Sequence, residues 1–445
     1  MNSITVPRSS PVYAGTISHI LQFPNMLWYF GTQVVSLTGL MLRGSVISLL
    51  LLALLGADKV ALVMGTIWAM NVLPGAFLGA FAGLYIDRSD KRKVLTVTAI
   101  VSVLQAVALA YIAYAFAEPI LREHRLVSTH HPIIIAIFVL ALIGGFANAL
   151  DGICRNVIVK DALPDMHDKA ANRKNQTLGG IMFTALYTLA MPVGDGISGY
   201  MVHWFGYAAT FVIVGMSFMV LIFGLSRMNF SHRSGEKLPW KGVWHSLNEN
   251  ARYAARMPVV RTCILVAAAI TVLGFSYRVT LTIIAKTMFS SGPHHGGPQD
   301  YSFLAASAGI GSFVGAVITM IYSARKPVQF VVCGCLMCGL SQVLLVFTRD
   351  IHVGAILLFF TGCGFMPAFM PFRGVMMHVV EDKRIGIVFG FMFMFFYGSM
   401  MASSFIAGYI TKHFGCPAVL GLCGTGLMAV ALLVPLLPSM KELKQ

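Results

Sequence analysis

Twelve apolar runs of about twenty residues or more recur along this chain, and no other feature restricts its fold so tightly. Crossing a hydrocarbon core of roughly 30 Å takes about 20 apolar residues as a helix. The runs cover 27–55, 60–85, 94–117, 133–157, 176–202, 208–226, 259–288, 301–323, 328–347, 353–378, 385–411 and 417–437. In lipid only helices or closed barrels satisfy their own backbone, and these runs are too long and too continuously apolar for barrel strands. The expected fold class is an all-α membrane protein of twelve transmembrane helices. Composition agrees, with 57% hydrophobic and 11% charged residues, against roughly 25% charged in a soluble domain.

The excess of 32 Lys+Arg over 17 Asp+Glu suggests a nucleic-acid partner only if the cations form a patch on a folded surface. Here they fall in short gaps between apolar runs, so no nucleic acid is expected and the lipid bilayer is the partner. With the N-terminus in the cytoplasm, the outer loops hold only Lys59, Arg122, Arg125, Arg349 and Lys412. The inner loops then hold most of the remainder, from Arg88, Lys91, Arg92 and Lys93 to Lys383, Arg384, Lys441 and Lys444. This is the positive-inside pattern, and it places both termini in the cytoplasm of a multi-pass inner-membrane protein. The first 25 residues carry one Arg and no cleavable apolar core, so the first span is expected to act as the insertion signal.

The polar, basic segment 227–258 separates six runs from six. We expect an N-terminal bundle over 1–226, a cytoplasmic linker with an amphipathic helix over 227–258, and a C-terminal bundle over 259–445. Trp240, Trp244 and Tyr253 suit the linker to the membrane interface. Internal repetition supports the division. Gly39 precedes Arg43 by four residues in the first span, and Gly274 precedes Arg278 by four in the seventh. Gly145 and Arg155 in the fourth span match Gly364 and Arg373 in the tenth, ten and nine residues apart.

Ionisable residues inside a membrane cost about 2.5–3.5 kcal/mol each on insertion scales and are functional candidates by default. This chain has Arg43, Asp151, Arg155, Asp195, Arg278, Lys286 and Arg373. Asp151 and Arg155 share a helix face and can pair. Asp195 has no cation within a helical turn, and a carboxylate left alone in a low-dielectric interior tends to hold a proton. Asp195, and less directly Asp151, are therefore the candidates for proton coupling, with the proton gradient as driving force and no cofactor. Arg155 and Arg373 lie toward the cytoplasmic ends of their spans, where they can either bind solute or snorkel. Lys286, near an outer end, reads as an interface anchor. Cys333, Cys335 and Cys338 read as close helix packing in a Gly-rich stretch rather than as a metal site. The run from Phe389 to Tyr397 reads as lipid contact. His294 and His295 read as a solvated outer loop, and His203 and His378 as span-end residues.

Between the second and third runs lies Gly83-Leu84-Tyr85-Ile86-Asp87-Arg88-Ser89-Asp90-Lys91-Arg92-Lys93. Asp87 can accept from a neighbouring helix N-terminus while the cations meet anionic lipid, so the loop can latch one conformation. With this motif the chain resembles the major facilitator superfamily, whose loop signature is G-x-x-x-D-R-x-G-R-K. Asp90 in place of Gly is similar to the form found in its drug and siderophore exporters, the enterobactin-exporter-like subgroup. Segments 169–206 and 247–320 also resemble that subgroup, although Asp195 stands where a Pro is usual. The resemblance implies two pseudo-symmetric six-helix bundles around a central cavity, with Gly83, Asp87, Arg88, Asp90, Lys91 and Arg92 as the conformational latch.

It also implies that spans one, four, seven and ten line the cavity, bringing Arg43, Arg155, Arg278 and Arg373 to face one another with Asp151. Four arginines against one carboxylate point to an anionic solute, since guanidinium groups grip carboxylates and phosphates bidentately. The expectation is a monomeric secondary transporter, not an enzyme, moving a small anionic solute by alternating access. Export of a polycarboxylate siderophore is the leading case. Import of the siderophore or its iron complex, multidrug efflux, and lysophospholipid flipping stay open. Against flipping, Leu40 and Met41 occupy the place where flippases of the superfamily resemble one another in carrying an Asp. No phosphate-binding loop or nucleophile triad is present to support an ATP-driven pump or catalysis.

Overall fold

A computed structural model describes residues 22–162, 169–228, 252, 256–289, 297–322, 326–380 and 385–438. The described residues form helices and turns, with no strand among them. Span 1 is Pro24–Leu55, span 2 Ala57–Arg88, and span 3 Lys91–Ile112, which continues through a π-helical turn Ala113–Ala117 into Glu118–Arg122. Span 4 is Pro132–Ala162. Spans 5 and 6 form the run Lys169–Arg227, broken at Gly206 with φ 79 and ψ 174. Span 7 is Pro258–Gly274 followed by Ser276–Met288, span 8 Pro298–Tyr322, and span 9 Pro327–Val346. Span 10 is Ile351–Phe369 followed by Pro371–Val379, span 11 Ile385–Phe414, and span 12 Cys416–Leu433. The amphipathic linker helix expected within 227–258 lies almost wholly outside the described residues, as do His294 and His295.

The tightest connections explain themselves. Gly56, Gly206 and Gly415 join spans 1 and 2, 5 and 6, and 11 and 12, with φ of 74, 79 and 82. Only glycine adopts that region without steric cost. Phe205-Gly206 and Phe414-Gly415 end the equivalent spans 5 and 11, a further trace of duplication that the sequence reading missed. Glu118 sits beside the start of span 6, and its Oε1 accepts from the Ala208 amide at 3.0 Å, placing a carboxylate at a helix N-terminus.

Spans 1 to 6 pack on one another, as do spans 7 to 12, and the two sets meet chiefly along spans 2 and 11 and spans 5 and 8. Lipid offers no hydrophobic drive between helices, so close approach depends on small residues. Gly65 faces the Ser404 carbonyl and Gly408 across spans 2 and 11, and Gly309 faces Pro192 across spans 5 and 8. Gly334 of the CGCLMC stretch lies against Gly364 and Ala368, so that stretch serves helix packing. A side chain on Gly199 would overlap the backbone carbonyl of Pro298, which cannot move aside. Gly199→Val is therefore expected to lower the thermal midpoint of the detergent-purified protein by several degrees. Gly421→Val, at a glycine facing open space, should leave the midpoint unchanged, and equal midpoints for both variants would refute this packing account.

Buried apolar residues show where the space between the sets lies. At the end bearing Gly56, Gly206 and Gly415, one core joins both sets, running from Leu49–Leu55 to Ile283–Phe289 and Tyr301–Ala308. At the opposite end the cores are separate, one around Met26–Leu37 and Ile86–Ala99, the other around Val260–Ile270 and Val375. The two sets are sealed together at the first end and part toward the second, and the cavity lies between.

Candidate functional site

A cavity of about 350 Å³ occupies the centre of the molecule. Its polar wall comes from spans 1, 2, 4 and 7, through Arg43, Asn71, Asn148, Asp151, Arg155 and Arg278. Its apolar wall comes largely from spans 10 and 11, with Phe365, Phe369, Phe393, Phe396 and Tyr397 among methionines. Phe365 and Phe369 stack with ring planes 3° apart, and Phe369 lies 4.8 Å from Phe396. The Phe389–Tyr397 run was expected to face lipid. The helical turn divides it instead, sending Phe393, Phe396 and Tyr397 to the cavity while Phe395 remains exposed.

Arg43 is 3% exposed on a straight stretch of span 1. Its Nη1 donates to Gln105 Oε1 at 2.5 Å and its Nη2 to Asn148 Oδ1 at 3.0 Å. The guanidinium also lies 5.6 Å from the Phe218 ring centroid. Each carboxamide is oriented by a partner of its own, Gln105 donating to the Leu140 carbonyl at 2.8 Å and Asn148 to Asn71 Oδ1 at 3.1 Å. Gly144 provides the room for Gln105. The described partners of Arg43 are thus neutral oxygens. They hold the group in place without cancelling its charge.

Asp151 and Arg155 do pair along span 4, Nε to Oδ2 at 2.6 Å. Thr98 donates to the other carboxylate oxygen at 3.4 Å. Arg155 Nη1 donates to Ser36 Oγ at 2.8 Å and to Gln33 Oε1. Snorkelling is ruled out for Arg155, because it is 1% exposed and tied to span 1. Lys286 and His203, by contrast, are exposed at span ends.

Asp195 requires a correction. It is not left without a cation, because Arg278 of span 7 donates from Nη2 to Oδ2 at 2.6 Å. Ser45 donates to Oδ1 at 2.7 Å, and Tyr301 donates to Ser45 at 2.9 Å. Three glycines bring span 5 this close: Gly194 against Thr38 and Met41, Gly196 against Ala306, and Gly199 against Pro298. The ion pair therefore bridges the two sets of spans at their sealed end. Both partners are largely withdrawn from solvent, with side-chain exposures of 18% for Arg278 and 4% for Asp195.

The expected ratio of four arginines to one carboxylate changes accordingly. Asp151 and Asp195 neutralise Arg155 and Arg278, which leaves Arg43 as the cavity cation held by neutral groups. The Arg373 side chain lies outside the description. In the loop motif, Asp90 caps span 3, accepting from the Arg92 and Lys93 amides at 3.1 and 3.4 Å. Arg92 Nη2 donates to the Ser226 carbonyl at the end of span 6, 3.1 Å away, and the Lys91 carbonyl accepts from Cys154 at 3.2 Å. Asp90 is thus the capping carboxylate of span 3 itself, a different contact from the one to a neighbouring helix expected of Asp87. The side chains of Asp87 and Arg88, and the surroundings of Gly83, lie outside the description.

Gln33, Ser36, Ser45, Asn71, Gln105 and Asn148 were missed as site residues. Four carboxamides within spans 1 to 4 are themselves a signal, since polar groups inside lipid require partners.

The family model described as Major Facilitator Superfamily matches residues 29–404. Among solved structures, a point mutant of the nucleoside transporter NupG aligns with a TM-score of 0.60. The alignment covers 92% of this chain and 100% of that one at 13% identity, a likeness of fold. No curated protein matches the sequence.

Proposed function

Because the chain belongs to the Major Facilitator Superfamily, it is a multi-pass membrane transporter rather than an enzyme, and we propose that its cargo is a small amphiphilic organic anion. The observation that carries this reading is Arg43, a buried cavity guanidinium held at 2.5 and 3.0 Å by carboxamide oxygens. A buried charge with no direct ion-pair partner among the described residues favours an incoming anion. The aromatic and methionine wall opposite suits the apolar part of the same solute.

The two moving bodies we propose are 1–226 and 259–445, joined by 227–258. With the termini in the cytoplasm, the parted end faces inward and the sealed end outward. The solute enters from the cytoplasm, sets its anionic group at Arg43 and lays its apolar body on spans 10 and 11. A second contact to Arg278 competes with Asp195 for the guanidinium and loosens the bridge that seals the outer end. Rocking of the bodies then exposes the solute outside, which is export, the direction inferred from the exporter-like loop and span 5.

A polycarboxylate siderophore remains the concrete candidate from sequence. Arg155 and Arg278 already hold carboxylates, so a solute with one anionic end matches the cavity better than a polycarboxylate. A neutral nucleoside would leave Arg43 without a counter-charge. Counterflow in proteoliposomes tests the class, with phenylbutyrate, citrate and uridine as probes. Phenylbutyrate is expected to exchange, and citrate and uridine are not. Exchange of citrate would restore the polycarboxylate reading, and exchange of uridine alone would refute an anionic cargo. Spent medium of a null strain, assayed for iron-chelating activity, decides the siderophore case.

A further inference from the structure

The described hydrogen-bond partners of Arg43 lie on spans 3 and 4, so the anion anchor by itself holds a solute to the first set of spans alone. Across the cavity, the described residues of spans 7 to 12 add two polar side chains to the wall, Arg278 and Tyr397, among phenylalanines and methionines. Arg278 is engaged by Asp195 at 2.6 Å. Tyr397 is half-buried, and its hydroxyl has no hydrogen-bond partner among the described residues and is not closed off as Gln33 Nε2 and Arg155 Nη2 are. The seat of the ring fixes where that hydroxyl stands. A Cβ on Gly75 of span 2 would lie 2.8 Å from the Tyr397 ring, and one on Gly152 of span 4 would meet the hydroxyl oxygen at 3.3 Å. Gly75 and Gly152 follow Asn71 and Asn148 by one helical turn, toward the parted end. Asn148 accepts from Arg43 at 3.0 Å and donates to Asn71 at 3.1 Å. Cβ positions four apart on a helix are about 5–6 Å from each other, so the hydroxyl stands one turn from the carboxamides that hold the anchor.

We propose that Tyr397 is a specificity-determining residue, whose hydroxyl donates to an uncharged acceptor oxygen of the solute, a carbonyl or ether a few bonds from its anionic group. Phenylalanine would fill the slot between Gly75 and Gly152 as well, so packing does not call for the oxygen. A hydroxyl left unmatched in a largely apolar wall is a cost that a matching solute oxygen removes, and a solute lacking that oxygen is discriminated against. Arg155, the nearest cation along span 4, is already paired with Asp151 at 2.6 Å, so the hydroxyl suits a neutral oxygen better than a second anion. The contact also joins a solute anchored at Arg43 to span 11, and so to the opposite set of spans. This inference rests on the reading of Arg43 as the anion anchor.

The test compares phenylbutyrate with 4-oxo-4-phenylbutyrate, whose ketone oxygen lies a few bonds from the carboxylate, and with 2-oxo-4-phenylbutyrate, whose ketone adjoins it. Titration calorimetry on the purified full-length protein reads the three affinities. The 4-oxo acid is expected to bind about tenfold more tightly than phenylbutyrate, the equivalent of one good hydrogen bond, and the 2-oxo acid is not. Tyr397→Phe keeps the ring in its seat and should make the affinities of phenylbutyrate and the 4-oxo acid equal. Gly152→Ala sets a methyl group against the hydroxyl and should shrink the same gain, so it decides the matter if Tyr397→Phe binds neither acid. Equal affinities of the two acids in the wild type would mean that water satisfies the hydroxyl, and would overturn the proposal. So would an equal gain for the 2-oxo acid, or a gain that persists in the deciding variant and so belongs to another donor such as Tyr187, which also lines the cavity. Phenylbutyrate binding that is absent, or unaltered by Arg43→Ala, would instead bring down the anion anchor itself and this inference with it.

Discussion

Asn148→Asp is expected to abolish transport of organic anions while leaving the protein in the membrane at near wild-type abundance. Asn148 Oδ1 already accepts from Arg43 at 3.0 Å, so a carboxylate in its place meets the same guanidinium in the same geometry. Asn71, now accepting from Asn148 at 3.1 Å, can turn its own amide to donate to the new oxygen. The exchange therefore costs little in packing but gives Arg43 a permanent counter-ion. An anion must then displace a charge-assisted pair, and a loss of about 3 kcal/mol or more lowers affinity on the order of 100-fold. Uptake into proteoliposomes against immunoblotted abundance measures both quantities. Arg43→Ala should lose transport as completely, although it also leaves Gln105 and Asn148 acceptors unpaired at about 1–3 kcal/mol each. Wild-type transport by Asn148→Asp would show that the free charge of Arg43 has no part in recognition.

Asp195→Asn is expected to open the sealed end. The Arg278–Asp195 contact at 2.6 Å is a buried ion pair between spans 7 and 5, and removing one partner of such a pair typically costs about 3–5 kcal/mol. On the proposed alternating access this contact belongs to the sealed conformation, so its loss is expected to shift the balance toward the outward-open state by roughly two to three orders of magnitude. A cysteine at Ala305, beside Tyr301 and Asp195 in the small pocket at the sealed end, reports the change. Its labelling by a membrane-impermeant thiol reagent from outside should accelerate at least about tenfold, a conservative fraction of that shift. Unchanged labelling would remove the pair as an outer gate. The same variant tests proton coupling, because uptake that still follows an imposed proton gradient would exclude Asp195 as the carrier.

The spans, the division into two sets and the short list of buried charges were all legible in the sequence, and for one reason. Hydropathy over twenty residues is a local property, and a charge within an apolar run stands out wherever its partner lies. The Asp151–Arg155 pair was legible too, because four residues on a helix make neighbours. The Arg278–Asp195 pair was not. Its members are 83 residues apart, and they meet only because Gly194, Gly196 and Gly199 let span 5 sit tightly between spans 1 and 8. The two faces of the Phe389–Tyr397 run were equally hidden, since a run apolar all round does not say which side meets lipid. Sequence alone thus determined a twelve-span transporter with costly charges in its middle. Tertiary structure decided which of those charges pair, leaving Arg43 without a direct ion pair among the described residues, because pairing across helices depends on how closely two backbones approach.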